Sequence, residues 1–134
     1  MIVVDTNIIV YLHVQGEFTQ KAKQAFQKDG EWAAPYLWRS EYRSTLLLYL
    51  RKQLLSLPHL MQITRSAESL MLNREFLVIA DDVYRLASLS SCSAYDCEFV
   101  ALAQYLGVPL VTLDKKVLQA FPNTAVSLDH FLVF

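Results

Sequence analysis

Apolar residues along this chain come in short runs broken by turn signals, and the runs are of two kinds. Four-residue β-branched or aliphatic runs read as buried strands: Met1–Val4, Leu110–Leu113 and Ala125–Leu128, with Glu31–Ala34 and Phe76–Ala80 as further short strands. Longer stretches with apolar positions three and four apart read as helices: Thr6–His13, Phe18–Lys28, Tyr36–Gln53 with Pro35 at its start, and Pro58 to about Leu72. Asp81 or Asp82 is placed to cap a helix running to about Cys92. Ser93-Ala94-Tyr95-Asp96 has the spacing of a capping box, and the helix it opens runs to Leu106 and stops at Gly107. Lys115–Phe121 reads as a short helix and His130–Phe134 as a tail. Strands alternating with helices predict an α/β fold with a mainly parallel sheet.

Composition narrows the class. The chain has 134 residues, a length that suits one domain with one core, and no linker or repeat divides residues 1–134. Hydrophobic residues make up 54%, yet the longest uncharged stretch, Phe99–Leu113, is broken by Gln104, Gly107 and Pro109. A span needs about 20 mostly apolar residues, so no membrane segment is expected. The start Met1-Ile2-Val3-Val4-Asp5 has no basic region or cleavage site, so the expectation is a cytoplasmic protein without a signal peptide. Cys92 and Cys97 have neither metal spacing nor a disulfide framework. A net charge of −1 excludes nucleic-acid binding by bulk charge, though not by a local basic rim.

The chemistry lies in four acids. Asp5 and Asp114 each follow a predicted strand, where open α/β sheets place their ligand sites. Asp96 sits at a helix start, and Glu41 lies on the long helix. Each alone is explained as a cap or a solvated residue. As a set they suggest a pocket of negative charge that a hard divalent cation, Mg²⁺ or Mn²⁺, would neutralise. Such ions equip phosphoryl chemistry.

At this point the chain resembles the PIN-domain nucleases, and in particular the VapC-type toxins of toxin–antitoxin systems. The resemblance is carried by Val3-Val4-Asp5-Thr6-Asn7, by Glu41, by Ala94-Tyr95-Asp96-Cys97-Glu98-Phe99-Val100-Ala101-Leu102-Ala103, and by Pro109-Leu110-Val111-Thr112-Leu113-Asp114-Lys115. It implies a three-layer α/β/α fold and a metal-dependent endoribonuclease. Asp5, Glu41, Asp96 and Asp114 match the family's metal-binding acids, with Asp5, Asp96 and Asp114 holding the water-activating ion and Glu41 holding a second ion or orienting the water. Thr6, Asn7 and Thr112 match residues that hydrogen-bond around those acids. Many relatives have a further acid shortly after the position of Asp114, where this chain has Lys115, Lys116 and Val117.

Arg39 and Arg43 flank Glu41 and offer a phosphate clamp or simple neutralisation of the acids. Lys115 and Lys116 offer RNA phosphate contacts or a solvated helix face. The resemblance further implies an RNA substrate, a homodimer, and a small antitoxin seated between the helices Tyr36–Gln53 and Pro58–Leu72. Two rivals are a receiver-like phospho-acceptor and a PIN-like module that binds without cleaving. The first needs an acid pair after the first strand, and this chain has one acid in Asp5-Thr6-Asn7. Four retained acids weigh against the second.

Overall fold

The computed structural model describes all residues, Met1–Phe134. Five parallel strands form the central sheet in the order β3-β2-β1-β4-β5. They are β1 (Ile2–Val4), β2 (Trp32–Pro35), β3 (Glu75–Phe76), β4 (Leu110–Thr112) and β5 (Ala125–Ser127). Helices α1 (Thr6–His13), α2 (Thr19–Lys28), α3 (Leu37–Arg51), α4 (Leu57–Met71), α5 (Ala80–Ser88), α6 (Ala94–Leu106), α7 (Lys115–Ala120) and α8 (Leu128–Val133) connect and flank it. The strands β1, β2 and β3 wind outward to one edge. The chain then returns through α6 to lay β4 and β5 on the other side of β1. The winding therefore reverses between β1 and β4, and a doubly wound sheet opens its crevice at such a reversal.

The apolar runs form strands because both faces of the central strands are covered. Every residue of β1, β2 and β4 is buried. One hydrophobic cluster of 28 buried residues joins them to Ile8, Ile9 and Val10 of α1, Trp38, Tyr42 and Leu46 of α3, and Phe99–Ala103 of α6. Each large aliphatic side chain buried in this way contributes roughly 1.5–3 kcal/mol. α6 lies against β1, β2 and β4 and packs with α5, while α1 packs against α2, α3 and α4. Gly107 ends α6 with φ 68°, a left-handed turn that a side chain at that position would strain.

Several boundaries depart from the sequence pattern, each for a local reason. Pro35 closes β2 rather than opening α3, where it pairs with Phe76 and needs no N–H. The strand expected over Phe76–Ala80 stops at Phe76. Its partner β2 ends at Pro35, leaving Leu77 onward without a ladder. α5 starts at Ala80 with Ile79 as an uncapped first position. Asp81 and Asp82 therefore sit inside its first turn, facing the positive end of the helix, and the helix ends at Ser88 well before Cys92. The expected tail is helical instead. Ser127 accepts from His130 N–H to start α8, Leu128 is buried, and Lys28 Nζ donates to Phe131 O.

Candidate active site

Asp5 and Asp114 stand beyond the carboxyl ends of β1 and β4, on either side of the point where the winding reverses. Asp5 ends its strand by donating its N–H to Val111 O, and its Oδ1 accepts from Ile8 N at 3.2 Å to cap α1. Asp114 caps α7 through Oδ1, accepting from Lys116 N at 2.9 Å and Val117 N at 3.3 Å. Asp96 completes the capping box of α6, its Oδ2 accepting from Ser93 N at 3.4 Å. The cap explanation is thus met for three of the acids.

The same three acids and Glu41 also line one cavity. It measures about 270 Å³ and is bounded by Asp5, Thr6, Asn7, Glu41, Thr45, Asp96, Phe99, Leu110, Thr112, Asp114 and Val117. No Lys, Arg or His is among them. Capping consumes one oxygen of Asp96 and one of Asp114, and their second oxygens have no protein donor. Glu41 likewise uses only Oε1.

Two threonines tie the acids together. Thr112 donates its hydroxyl to Asp5 Oδ2 and accepts Asp114 N–H at 3.0 Å, so one side chain bridges the two strand ends. Thr6 donates to Glu41 Oε1 at 2.7 Å, joining the first turn of α1 to α3. Both threonines are buried, Thr112 at 1% exposure and Thr6 at 6%. Asn7 lines the same cavity from the exposed side of α1.

Burial raises the Asp5 carboxyl from its ordinary 3.8 to about 6, against the opposing effect of the Thr112 hydrogen bond. Glu41 is raised as well, first by burial and then by the charge of Asp96, with the Thr6 hydrogen bond opposing. Glu98 is raised by burial and by the charge of Glu41. Each shift marks a negative charge short of compensation.

The donor set fits a hard cation. It offers carboxylate oxygens and hydroxyls and no thiolate or imidazole, the chemistry that suits Mg²⁺ or Mn²⁺. As the side chains stand, no three acidic, His or Cys groups are gathered closely enough to hold an ion.

The arginines lie elsewhere. Arg39 makes a bidentate pair with Glu75, at 2.5 Å and 2.8 Å, and reaches Glu68 at 3.4 Å. Arg43 approaches Glu68 at 3.5 Å. Two residues along a helix is more than half a turn, so both point away from Glu41, and as placed they sit neither as a clamp beside it nor as neutralisers of the acids. Lys115 and Lys116 are exposed beside Asp114 and enter no ion pair. Thr45, Phe99 and Val117 line the cavity without having been singled out in the sequence. Thr45 had a usable signal, since it lies four residues after Glu41 and so on the same face.

The molecule is thus a parallel doubly wound α/β domain with an acidic pocket at its switch point. The chain belongs to the PIN domain family, whose model matches residues 2–123. It is 27% identical over 125 residues to ribonuclease VapC3 of Pyrobaculum aerophilum, covering 90% of this chain and 95% of that protein. Its fold is shared with FitAcB from Neisseria gonorrhoeae, with a TM-score of 0.75 and 18% identity over 97% of this chain and 99% of that one. A toxin–antitoxin complex from Klebsiella pneumoniae also shares it, with a TM-score of 0.71 and 21% identity over 96% of this chain and 98% of that one.

Proposed function

We propose that this PIN-domain protein is a metal-dependent endoribonuclease and the toxin of a type II toxin–antitoxin pair. The observation that carries the reading is the set of four carboxylates lining one cavity without a basic side chain at the sheet's switch point. Similarity to a protein named ribonuclease VapC3, and a fold shared with a toxin–antitoxin complex, support it.

Asp5, Asp96 and Asp114 would hold Mg²⁺ or Mn²⁺, with Glu41 as the supporting carboxylate. Bound there, the ion supplies a water of lowered pKa and neutralises charge at the phosphodiester. The chain's own residues do the rest. Thr112 fixes the Asp5 carboxylate and, through Asp114 N–H, the start of α7. Thr6 aims Glu41 at the cavity. Lys115 and Lys116, at the Asp114 side, attract the RNA backbone that the acids themselves repel.

The antitoxin is proposed to seat on the groove between α3 and α4. Leu47, Leu57 and Met61 are exposed there, and Arg43 and Arg65 flank them. This suits an amphipathic segment with acidic residues. The same reading carries a homodimer, for which exposed Leu77, Ile79 and Tyr105 supply apolar surface.

The test is incubation of a mixed RNA pool with the purified protein in Mg²⁺, in Mn²⁺ and in EDTA. Fragments in metal and none in EDTA are expected, and cutting unaffected by EDTA contradicts the metal assignment. A small protein encoded directly upstream that copurifies and suppresses cleavage supports the toxin role. Cleavage that no such partner restrains would favour an RNA-processing nuclease.

A further inference from the structure

The acid pocket has two unlike flanks. Lys115 and Lys116 stand on its Asp114 side. On the side of α3 and α6 a second hollow opens, of about 430 Å³, lined by Leu37, Ser40, Glu41, Ser44, Thr45 and Tyr95. Glu41 and Thr45 belong to both, so the hollow continues the acid pocket.

Its chemistry is neutral, polar and aromatic. Ser40 and Ser44 lie one turn apart on the same face of α3. Their hydroxyls bond to no protein group, whereas Thr64 and Ser66 on α4 turn back onto carbonyls of their own helix. Tyr95 is the second residue of α6, directly before Asp96, and is 61% exposed. It stacks on no other ring of the protein. The one charge in the lining is that of Glu41, so a phosphate is disfavoured there. A ligand with a flat face and hydrogen-bonding edges, and without charge, fits best.

We propose that this hollow receives the base and ribose of a nucleotide flanking the scissile phosphate. Tyr95 is its stacking face, and the Ser40 and Ser44 hydroxyls bond the sugar hydroxyl or the base edge. Only an unstacked base reaches a side-chain platform, so the hollow selects single-stranded RNA. Tyr95 is then a substrate-positioning residue beside the acids. This inference rests on the nuclease reading and names the part of the substrate that lies next to the cut.

The experiment compares the parent, Tyr95→Ala, Tyr95→Phe and the double variant Ser40→Ala/Ser44→Ala on a single-stranded RNA oligonucleotide in Mg²⁺. Its partner substrates carry an abasic ribose at each position next to the mapped cut. Tyr95 is exposed and alanine suits a helix, so the variants fold. Tyr95→Ala is expected to lower kcat/KM by about 5- to 150-fold, mainly through KM, and Tyr95→Phe to restore it. One abasic substrate should cost the parent a similar factor and cost Tyr95→Ala nothing further. Unchanged kinetics in Tyr95→Ala, or losses that simply multiply when the abasic site and Tyr95→Ala are combined, overturn the inference while leaving the nuclease reading in place. A parent that cuts no RNA removes both.

Discussion

Thr112 holds Asp5: its hydroxyl donates to Asp5 Oδ2 across 107 positions of sequence while its oxygen accepts the N–H of Asp114. A strand-end residue thereby couples the two carboxylates that flank the reversal of the sheet. Thr112→Val keeps the shape and removes the hydroxyl, leaving a carboxylate oxygen of Asp5 and the N–H of Asp114 without that partner. The expected loss is about 1–3 kcal/mol in urea unfolding, with cleavage reduced in parallel. Thr112→Ser should recover most of both.

The pH dependence of the metal-free protein follows from Asp5. Its folded carboxyl sits at about 6, above the ordinary 3.8, because burial disfavours the charge. Between these values the folded chain binds a proton that the unfolded chain has released. The contribution of Asp5 to stability is therefore fully present below about pH 4 and is lost as pH rises through 6. Glu41 is raised and acts in the same direction. Urea unfolding in EDTA from pH 4 to 8 should show this decline in the parent and a flatter profile in Asp5→Asn. Asparagine still caps α1 but replaces the Oδ2 that accepts from Thr112, so the comparison rests on the slope with pH and not on absolute stability.

Arg39 is a structural residue. Its guanidinium spans to Glu75, whose side chain is only 5% exposed and also accepts from Trp38 Nε1 at 2.8 Å. Arg39→Ala should cost about 2–3 kcal/mol in unfolding, less than a fully buried pair because Arg39 keeps some contact with water. The folded variant should cleave RNA as the parent does. A selective loss of cleavage without destabilisation would return Arg39 to the substrate.

How far the site could be read from sequence depended on whether a residue's partner was local. Asp5, Asp96 and Asp114 follow an apolar run or open a helix, and their capping partners lie within three residues. The bond from Thr6 to Glu41 spans 35 positions and the pair Arg39–Glu75 spans 36. Nothing local announces either, so in sequence Arg39 reads as a phosphate clamp or a neutraliser of the acids for want of a visible partner. Element ends were legible where a side chain marks them, as at Ser93 and Gly107. They failed where pairing decides, as at Phe76, whose strand stops with its neighbour at Pro35. The helix over Leu128–Val133 was missed although Ser127 caps it locally, because Ser127 and Leu128 read as the end of a strand.

Lys115 and Lys116 are expected to act on RNA by charge alone. Each phosphate they neutralise contributes about 0.7 to the salt slope of single-strand binding. Lys115→Ala/Lys116→Ala should therefore lower the slope of log K against log salt by about 0.7–1.4, measured by anisotropy of a labelled oligonucleotide, and weaken all sequences alike. An unchanged slope would leave both lysines as solvated surface.

If the four carboxylates form the centre of a metal-dependent ribonuclease, cleavage must depend on each of them, and Asp96 is the one whose charge can be removed with least disturbance. Asp96→Asn preserves the size of the side chain and its place beside Ser93 while removing one negative charge from the cavity. The measurement is the single-turnover cleavage rate of a defined RNA in Mg²⁺, parent against Asp96→Asn, with folding checked by circular dichroism. The expected loss is greater than the roughly 10–100-fold that removal of an outer hydrogen-bonding partner costs. Equal rates in the two proteins would contradict it.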